Sequence, residues 1–147
     1  MDKFYHGKYI TTQPKKNIVV PKWGGNLKSD TSTRVMYLDS SVIPNAPYVE
    51  CVWFWPTDKK DESSPAPHKH EVDEVLGFFG TDPNDLNDLG AEIELYIDGE
   101  RNLMNQTFLA YIPAGIMHNP LNFLKITRPV FHFATIAQKM YGGEARE

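Results

Sequence analysis

The chain has 147 residues, of which 41% are hydrophobic and 23% charged, as expected for one globular domain. Its net charge of -4 and the lack of a lysine or arginine cluster argue against a nucleic-acid partner, because such proteins normally carry a basic patch. Cys51 is the only cysteine, which excludes an intrachain disulfide and a thiolate zinc site and favours a reducing, cytoplasmic location. We also expect no signal peptide and no membrane association, since no apolar run is long enough for either.

The 11 prolines and 10 glycines divide the chain into short segments without a long helical period, which predicts an all-β sandwich or barrel. The segment 92–98 alternates between apolar and charged residues, and Asp98-Gly99 at its end is a strong hairpin signal. The predicted strands, in chain order, are 33–38, 48–55, 92–98, 107–112 and 129–136.

Two segments are predicted to be irregular. The first, 57–67, is charged and contains proline, as is typical of an exposed loop. The second, 81–90, could include one helical turn with Asp82 as its cap and Pro83 in its first position. Its acidic residues do not follow the calcium-binding order of an EF-hand, because Leu86 stands where an oxygen ligand is needed. We therefore interpret 81–90 as a solvated loop.

The chain shows no repeat, no low-complexity tract and no linker that would divide it. We therefore expect a single domain over residues 1–147. It would comprise an N-terminal arm of about residues 1–30, a barrel core of about residues 33–136 and a short C-terminal tail.

The residues that indicate chemistry lie in two short stretches. His68 and His70 would point to the same face of a strand, and Glu74 would join them if the strand continued without a bulge. Two imidazoles and a carboxylate form part of a ligand set for a transition metal. About forty residues later, the turn at 113–115 precedes His118, where a new strand is expected to begin.

Together these stretches resemble the two motifs of the cupin family. The first motif is His-x-His, then Glu after three or four residues, then a glycine. The second is Pro-x-Gly-x-x-His-x-x-x-Asn. The matching residues are His68, His70, Glu74 and Gly80 in the first motif, and Pro113, Gly115, His118 and Asn122 in the second.

The resemblance implies a double-stranded β-helix, a jelly-roll-like cupin barrel of two packed sheets. It also implies one divalent transition metal, Fe, Mn, Ni, Co or Zn, held inside the barrel by His68, His70, Glu74 and His118. By analogy with many proteins of this type, we expect a homodimer in which the arm at 1–30 packs on a neighbour.

A metal with three imidazole ligands and one carboxylate keeps two adjacent positions open if it is six-coordinate. It could then act as a Lewis acid on a small carbonyl, hydroxy or carboxylate substrate, in lyase, isomerase or decarboxylase-type chemistry. One alternative is an Fe(II)-dependent dioxygenase. Others are a small-ligand-binding module without catalysis, and a structural or storage protein.

Proton transfer requires a further residue, and His132 is the first candidate for that catalytic role. It would point into the barrel if its neighbours Val130 and Ala134 do, although a buried histidine bonded to the backbone is an alternative. Tyr48 and Arg34 are weaker catalytic candidates, with Arg34 as a possible clamp for a substrate carboxylate. The other side chains that could line the cavity are Glu50, Trp53, Trp55 and Tyr111, although filling of the core is the favoured interpretation of Trp53 and Trp55. Asn122 is expected to support the turn after His118.

Overall fold

The computed structural model describes residues 7–16, 18, 30–60 and 65–136, and it confirms the predicted all-β class. In these residues the regular structure consists of eight strands and one 3₁₀ turn at Gly7–Tyr9. None of the described helical structure is long and apolar enough to span a bilayer. The strands are β1 (Ser32–Leu38), β2 (Tyr48–Phe54), β3 (Glu74–Phe79), β4 (Asp88–Ile97), β5 (Glu100–Gln106), β6 (Phe108–Ile112), β7 (His118–Ile126) and β8 (Val130–Ile136).

The strands form two antiparallel sheets, one with the order β1-β2-β8-β3-β6 and one with the order β5-β4-β7. Several neighbours are far apart in sequence, since β8 lies between β2 and β3, and β7 lies beside β4. The chain therefore passes repeatedly from one sheet to the other. This is the jelly-roll-like double-stranded β-helix that the two motifs imply.

The hairpin between β4 and β5 follows the predicted alternation. Ile93 and Leu95 are fully buried between the sheets, while Glu94 between them belongs to the opposite face. Asp98 and Gly99 connect the strands with φ values of 53° and 76°. Two consecutive positive values define the type I′ turn, which Asp-Gly adopts readily.

Alternate residues of the five-stranded sheet form rows across its inner face. The rows contain Glu74, Ile136 and Tyr48; then Leu76, Ala134 and Glu50; then Phe78, His132 and Val52. Arg34 of β1 pairs with Val52 and so extends the third row. Glu74, Glu50, His132 and Arg34 therefore belong to one inner wall.

Three aromatic candidates for that wall lie outside it, which corrects the prediction. Trp53 alternates with the inward-facing Val52 and Phe54, so it points away from the interior and stacks on Trp55 at 5.9 Å. Tyr111 is 60% exposed. These side chains neither line the cavity nor fill the core.

β1, β2, β6 and β8 agree with the predicted strands within one residue, and the other strands depart further from the prediction. β3 is absent from the predicted set, and only the start of β7, at His118, is expected. β4 begins at Asp88 rather than at residue 92, because Leu89 and Ala91 extend its buried face. β5 has no counterpart in the sequence prediction, since its residues are largely polar and exposed at the sheet edge. Its pairing with β4 holds it in place.

The first irregular segment, 57–67, has no strand in its described residues apart from an isolated bridge at Thr57, and residues 61–64 lie outside the described part. The second, 81–90, is irregular only over 81–87, because β4 includes residues 88–90. In the second segment, Asp82 Oδ1 accepts a hydrogen bond from the backbone N–H of Asn84 at 2.9 Å. Residues 81–87 form successive turns rather than the helical turn that the sequence suggests. Asp82 therefore caps a turn and not a helix.

Candidate metal centre

The first histidine stretch is not a regular strand, contrary to the prediction. His68 forms an isolated antiparallel bridge with His118, with N···O distances of 3.0 and 2.9 Å. Residues 69–73 are irregular, and β3 begins only at Glu74. The side chains are therefore brought together by contact with the second motif, and not by strand periodicity.

The turn before His118 is tied to the first motif by two further hydrogen bonds. Gly115 donates its N–H to the carbonyl of His70 at 2.8 Å, and Ala114 donates to Asp73 Oδ1 at 2.9 Å. Gly115 has a φ of +83°, which a residue with a side chain adopts only at a cost. The turn therefore needs glycine at this position and fixes how the two motifs meet.

Three imidazoles converge at this junction. The ligand nitrogens of His68, His70 and His118 all lie within 4.8 Å of one another, and the side chains are largely buried. The ring centroids of His68 and His118 are 4.3 Å apart, and those of His70 and His118 are 5.2 Å apart. A buried group of three histidines is a typical transition-metal ligand set.

Glu74 is at the edge of the same group. Its Oε1 lies 2.8 Å from His118 Nε2 and 3.7 Å from His70 Nε2, and the residue is 6% exposed. Because Glu74 begins β3 and His118 begins β7, the carboxylate and the imidazole come from different sheets. The site therefore spans the interior of the barrel.

Two of the three imidazoles contact backbone carbonyls through Nδ1. His68 Nδ1 lies 2.6 Å from the carbonyl of Ala66, and His118 Nδ1 lies 3.4 Å from the carbonyl of Ile116. A carbonyl can only accept, so the short contact of His68 places its proton on Nδ1 and a lone pair on Nε2. The longer contact of His118 is compatible with the same tautomer. Burial lowers the pKa of His68 to about 4, so this ring is neutral at pH 7.

These atoms fit a metal ion. With bonds of about 2.1 Å, neighbouring ligand atoms at right angles are about 3 Å apart and opposite ones about 4 Å apart. The separations of 2.8 and 3.7 Å around Glu74 Oε1 are compatible with that spacing. In the Nδ1–H form of His118, Nε2 and Glu74 Oε1 are two facing acceptors, which require a cation or a proton between them.

The candidate ligands of both motifs thus meet between two facing sheets whose strand order is that of a double-stranded β-helix. The chain has the cupin fold.

Comparison with known proteins finds similarity among solved structures alone. No protein-family model and no curated protein matches the chain. Solved structures to which it is similar include KdgF from Halomonas sp. (14% identity, TM-score 0.42), an RmlC-like cupin from Shewanella frigidimarina NCIMB 400 (11%, 0.44) and the DMSP lyase DddQ from Ruegeria pomeroyi DSS-3 (15%, 0.46). The matches cover 73, 86 and 82% of this chain and 77, 96 and 55% of the respective structures. The chain therefore spans little more than half of DddQ.

His132 points into the cupin barrel, as do Val130 and Ala134 beside it. Its ring stacks on Phe78 with centroids 4.1 Å apart, and its Nδ1 lies 2.9 Å from the carbonyl of Gly77. Burial lowers its pKa, although the Gly77 carbonyl and the carboxylates of Glu50 and Glu74 act in the opposite direction. His132 therefore combines the two expected arrangements: a backbone bond at Nδ1 and an Nε2 lone pair on the inward-facing ring.

Arg34 and Tyr48 meet at Glu50 on the same wall. Tyr48 is 1% exposed and donates its hydroxyl proton to Glu50 Oε1 at 2.5 Å, while Arg34 Nε donates to Glu50 Oε2. The structure therefore links these two candidates through a carboxylate.

Two other motif residues have structural contacts. Asn122 donates from Nδ2 to Glu94 Oε1 at 3.0 Å, across strands β7 and β4, so it supports this strand pair rather than the turn after His118. Gly80 passes so close to the backbone of Asp88 that a Cβ would lie 2.0 Å from its carbonyl oxygen.

Sequence reasoning missed Asp73, which joins the motifs, and Phe78, which supports His132. The alternation of Glu74, Leu76 and Phe78 could have indicated the second of these.

Proposed function

We propose that this cupin is a metal-dependent enzyme that acts on a small molecule bearing carbonyl, hydroxyl or carboxylate oxygens. One divalent ion of Fe, Mn, Ni, Co or Zn would be held by the proposed ligands His68, His70, Glu74 and His118. The observation that carries the proposal is the buried group of three imidazoles beside the Glu74 carboxylate.

The chemistry proposed is of the lyase, isomerase or decarboxylase type. A bound divalent ion supplies Lewis-acid polarisation of a substrate oxygen. His132 is proposed to take up and return a proton at Nε2, because its Nδ1–H is already held by the Gly77 carbonyl. Phe78 stacks on the imidazole and restricts its rotation, which keeps Nε2 directed at the same place during turnover.

This position of His132 favours proton transfer over the alternative, an Fe(II)-dependent dioxygenase. A lowered pKa keeps the imidazole neutral, and so able to accept a proton, at pH 7. Activation of dioxygen would not require such a base. The two chemistries can be separated by measuring whether turnover consumes oxygen.

The test begins with the purified protein loaded separately with each of the five metals. We expect one equivalent of metal in the wild type and its loss in His70→Ala. Glu92→Gln, which removes an exposed carboxylate paired with Lys125, is the matched control and should bind metal normally. Failure of the wild-type protein to retain any of the five ions would rule the proposal out.

Activity is then measured against hydroxy-acids, β-diketones and catechols, with an oxygen electrode in parallel. We expect His132→Gln to retain the metal and to lose turnover about 10²- to 10⁴-fold, the usual contribution of general acid–base catalysis. Oxygen uptake in step with turnover would instead support the dioxygenase. A fully metal-loaded protein without turnover or a substrate-linked spectral change would favour the module that only binds a ligand.

We further propose that the chain is a single cupin domain with an N-terminal arm of about residues 1–30, and that it works in the cytoplasm as a homodimer. The exposed Leu109 and Tyr111 on the edge strand β6 provide apolar surface for self-association, and the single Cys51 suits a reducing compartment. Light scattering of the purified chain measures the oligomeric state, and a monomer at micromolar concentration would exclude the dimer.

A further inference from the structure

The inner wall holds a second polar group besides the candidate metal ligands. It consists of Arg34 on β1 with Glu50 and Tyr48 on β2, and is called the Arg34 cluster. Glu50 is one diagonal step from His132 across paired strands, so the cluster adjoins the proposed proton-transfer residue. The proposed reaction assigns no part to this cluster.

The geometry of the cluster orients the guanidinium of Arg34. Its Nε donates to Glu50 Oε2, while Tyr48 donates to Oε1, so the carboxylate is fixed from both sides. Tyr48 is itself held by an edge-to-face contact with Tyr37, with centroids 5.7 Å apart. A guanidinium bound through Nε still presents the outer edge formed by its two terminal nitrogens, which matches a carboxylate in a bidentate contact.

The burial of the cluster suits a binding group better than a surface ion pair. The side chain of Arg34 is 28% exposed and that of Glu50 12%, so the carboxylate lies deeper and the guanidinium is the member that a small molecule can reach. A divalent ion and Arg34 carry more positive charge than Glu50 and Glu74 carry negative charge. With the ion present, the interior therefore has one unit of positive charge in excess. A monoanionic ligand would neutralise it, which a poorly solvated interior favours.

We propose that Arg34 binds a carboxylate group of the substrate through its two terminal nitrogens, while Glu50 and Tyr48 act as positioning residues for the guanidinium. The inference rests on the proposed function and narrows its substrate class to small hydroxy- or keto-acids. A neutral diketone or catechol could not use this contact.

The test compares a carboxylate with its neutral amide. Lactate and lactamide are titrated calorimetrically into the manganese-loaded protein and into protein treated with a chelator. We expect the wild type to prefer lactate and Arg34→Met to weaken lactate binding at least tenfold, with lactamide binding and manganese affinity unchanged. Arg101→Met is the matched control, because Arg101 pairs with Glu94 on the other sheet and should leave the lactate preference intact.

Arg34→Met alone leaves the Glu50 carboxylate without its cation, which could prevent folding. The double variant Arg34→Met/Glu50→Gln removes both charges and retains an acceptor for Tyr48, and it should lose the lactate preference equally. The inference would be overturned if either folded variant still preferred lactate over lactamide. It would also be overturned if the wild type showed no such preference. Failure to bind metal would refute the proposed function alone, since the contact between Arg34 and a carboxylate does not involve the ion and its loss in Arg34→Met is measurable in the chelator-treated protein.

Discussion

Gly77 provides a test of how the outer face of the five-stranded sheet is packed. It pairs with Phe133 across β3 and β8, and the ring of Phe133 lies over it. A Cβ at Gly77 would lie 2.3 Å from Cε2 and 2.8 Å from Cδ2 of that ring. Because carbon atoms pack at about 3.5–4.0 Å, Gly77→Ala requires the ring to move by about 1 Å or more.

Two opposing effects set the expected size of the change in unfolding free energy. Alanine is favoured over glycine within a strand by about 0.5–1 kcal/mol, whereas overpacking costs about 1–3 kcal/mol. The clash involves the far end of a rotatable side chain, so we expect a net loss of about 1–2 kcal/mol. When Phe133 is first replaced by alanine, the clash disappears, and Gly77→Ala should then stabilise the protein by about 0.5–1 kcal/mol.

Urea denaturation of the wild type, both single variants and the double variant measures these values, provided that all four proteins have the same m-value. The informative result is that the effect of Gly77→Ala on the unfolding free energy changes sign between the wild-type and the Phe133→Ala backgrounds. If Gly77→Ala destabilises the protein equally with and without the Phe133 ring, the ring is not what requires glycine there, and the reasoning fails.

Two further variants test other parts of the fold. Asp39 is 1% exposed, and although burial alone would raise its pKa, hydrogen bonds from Ser41 and Tyr37 hold that pKa below its ordinary value. Its charge therefore contributes stability above about pH 4, which is lost as the pH falls through the folded-state pKa. Asp39→Asn should cost about 1.5–3 kcal/mol at pH 7 and progressively less below pH 4 in urea titrations, and a cost independent of pH would contradict this assignment. Gly115→Ala meets no atom within 4 Å, so its cost of about 1–2 kcal/mol should come from the φ of +83° alone, and an unchanged urea midpoint would show that the turn tolerates alanine.

The sequence predicts the elements in which burial and periodicity agree. The alternation of Ile93 and Leu95 identifies β4, and Asp98-Gly99 identifies its hairpin, because local turn chemistry and the buried face require the same register there. The predicted all-β class is confirmed because the same agreement between periodicity and burial holds along the other predicted strands.

Periodicity fails where tertiary contacts determine the backbone. His68 and His70 face the same site although residues 69–73 are irregular, because hydrogen bonds to the second motif replace those of a strand. No local pattern encodes such a contact between segments some forty residues apart. β5 was missed for a related reason, since its edge position allows polar residues that carry little strand preference.

The exchange of backbone hydrogen bonds between His68 and His118 has a consequence for how the histidine cluster comes apart. Because each residue donates to the other, a slip of either segment breaks both hydrogen bonds and moves the His68 and His118 imidazoles apart. Damage to this junction should therefore abolish the cluster as a unit, and a population of molecules that retain half of it should not accumulate.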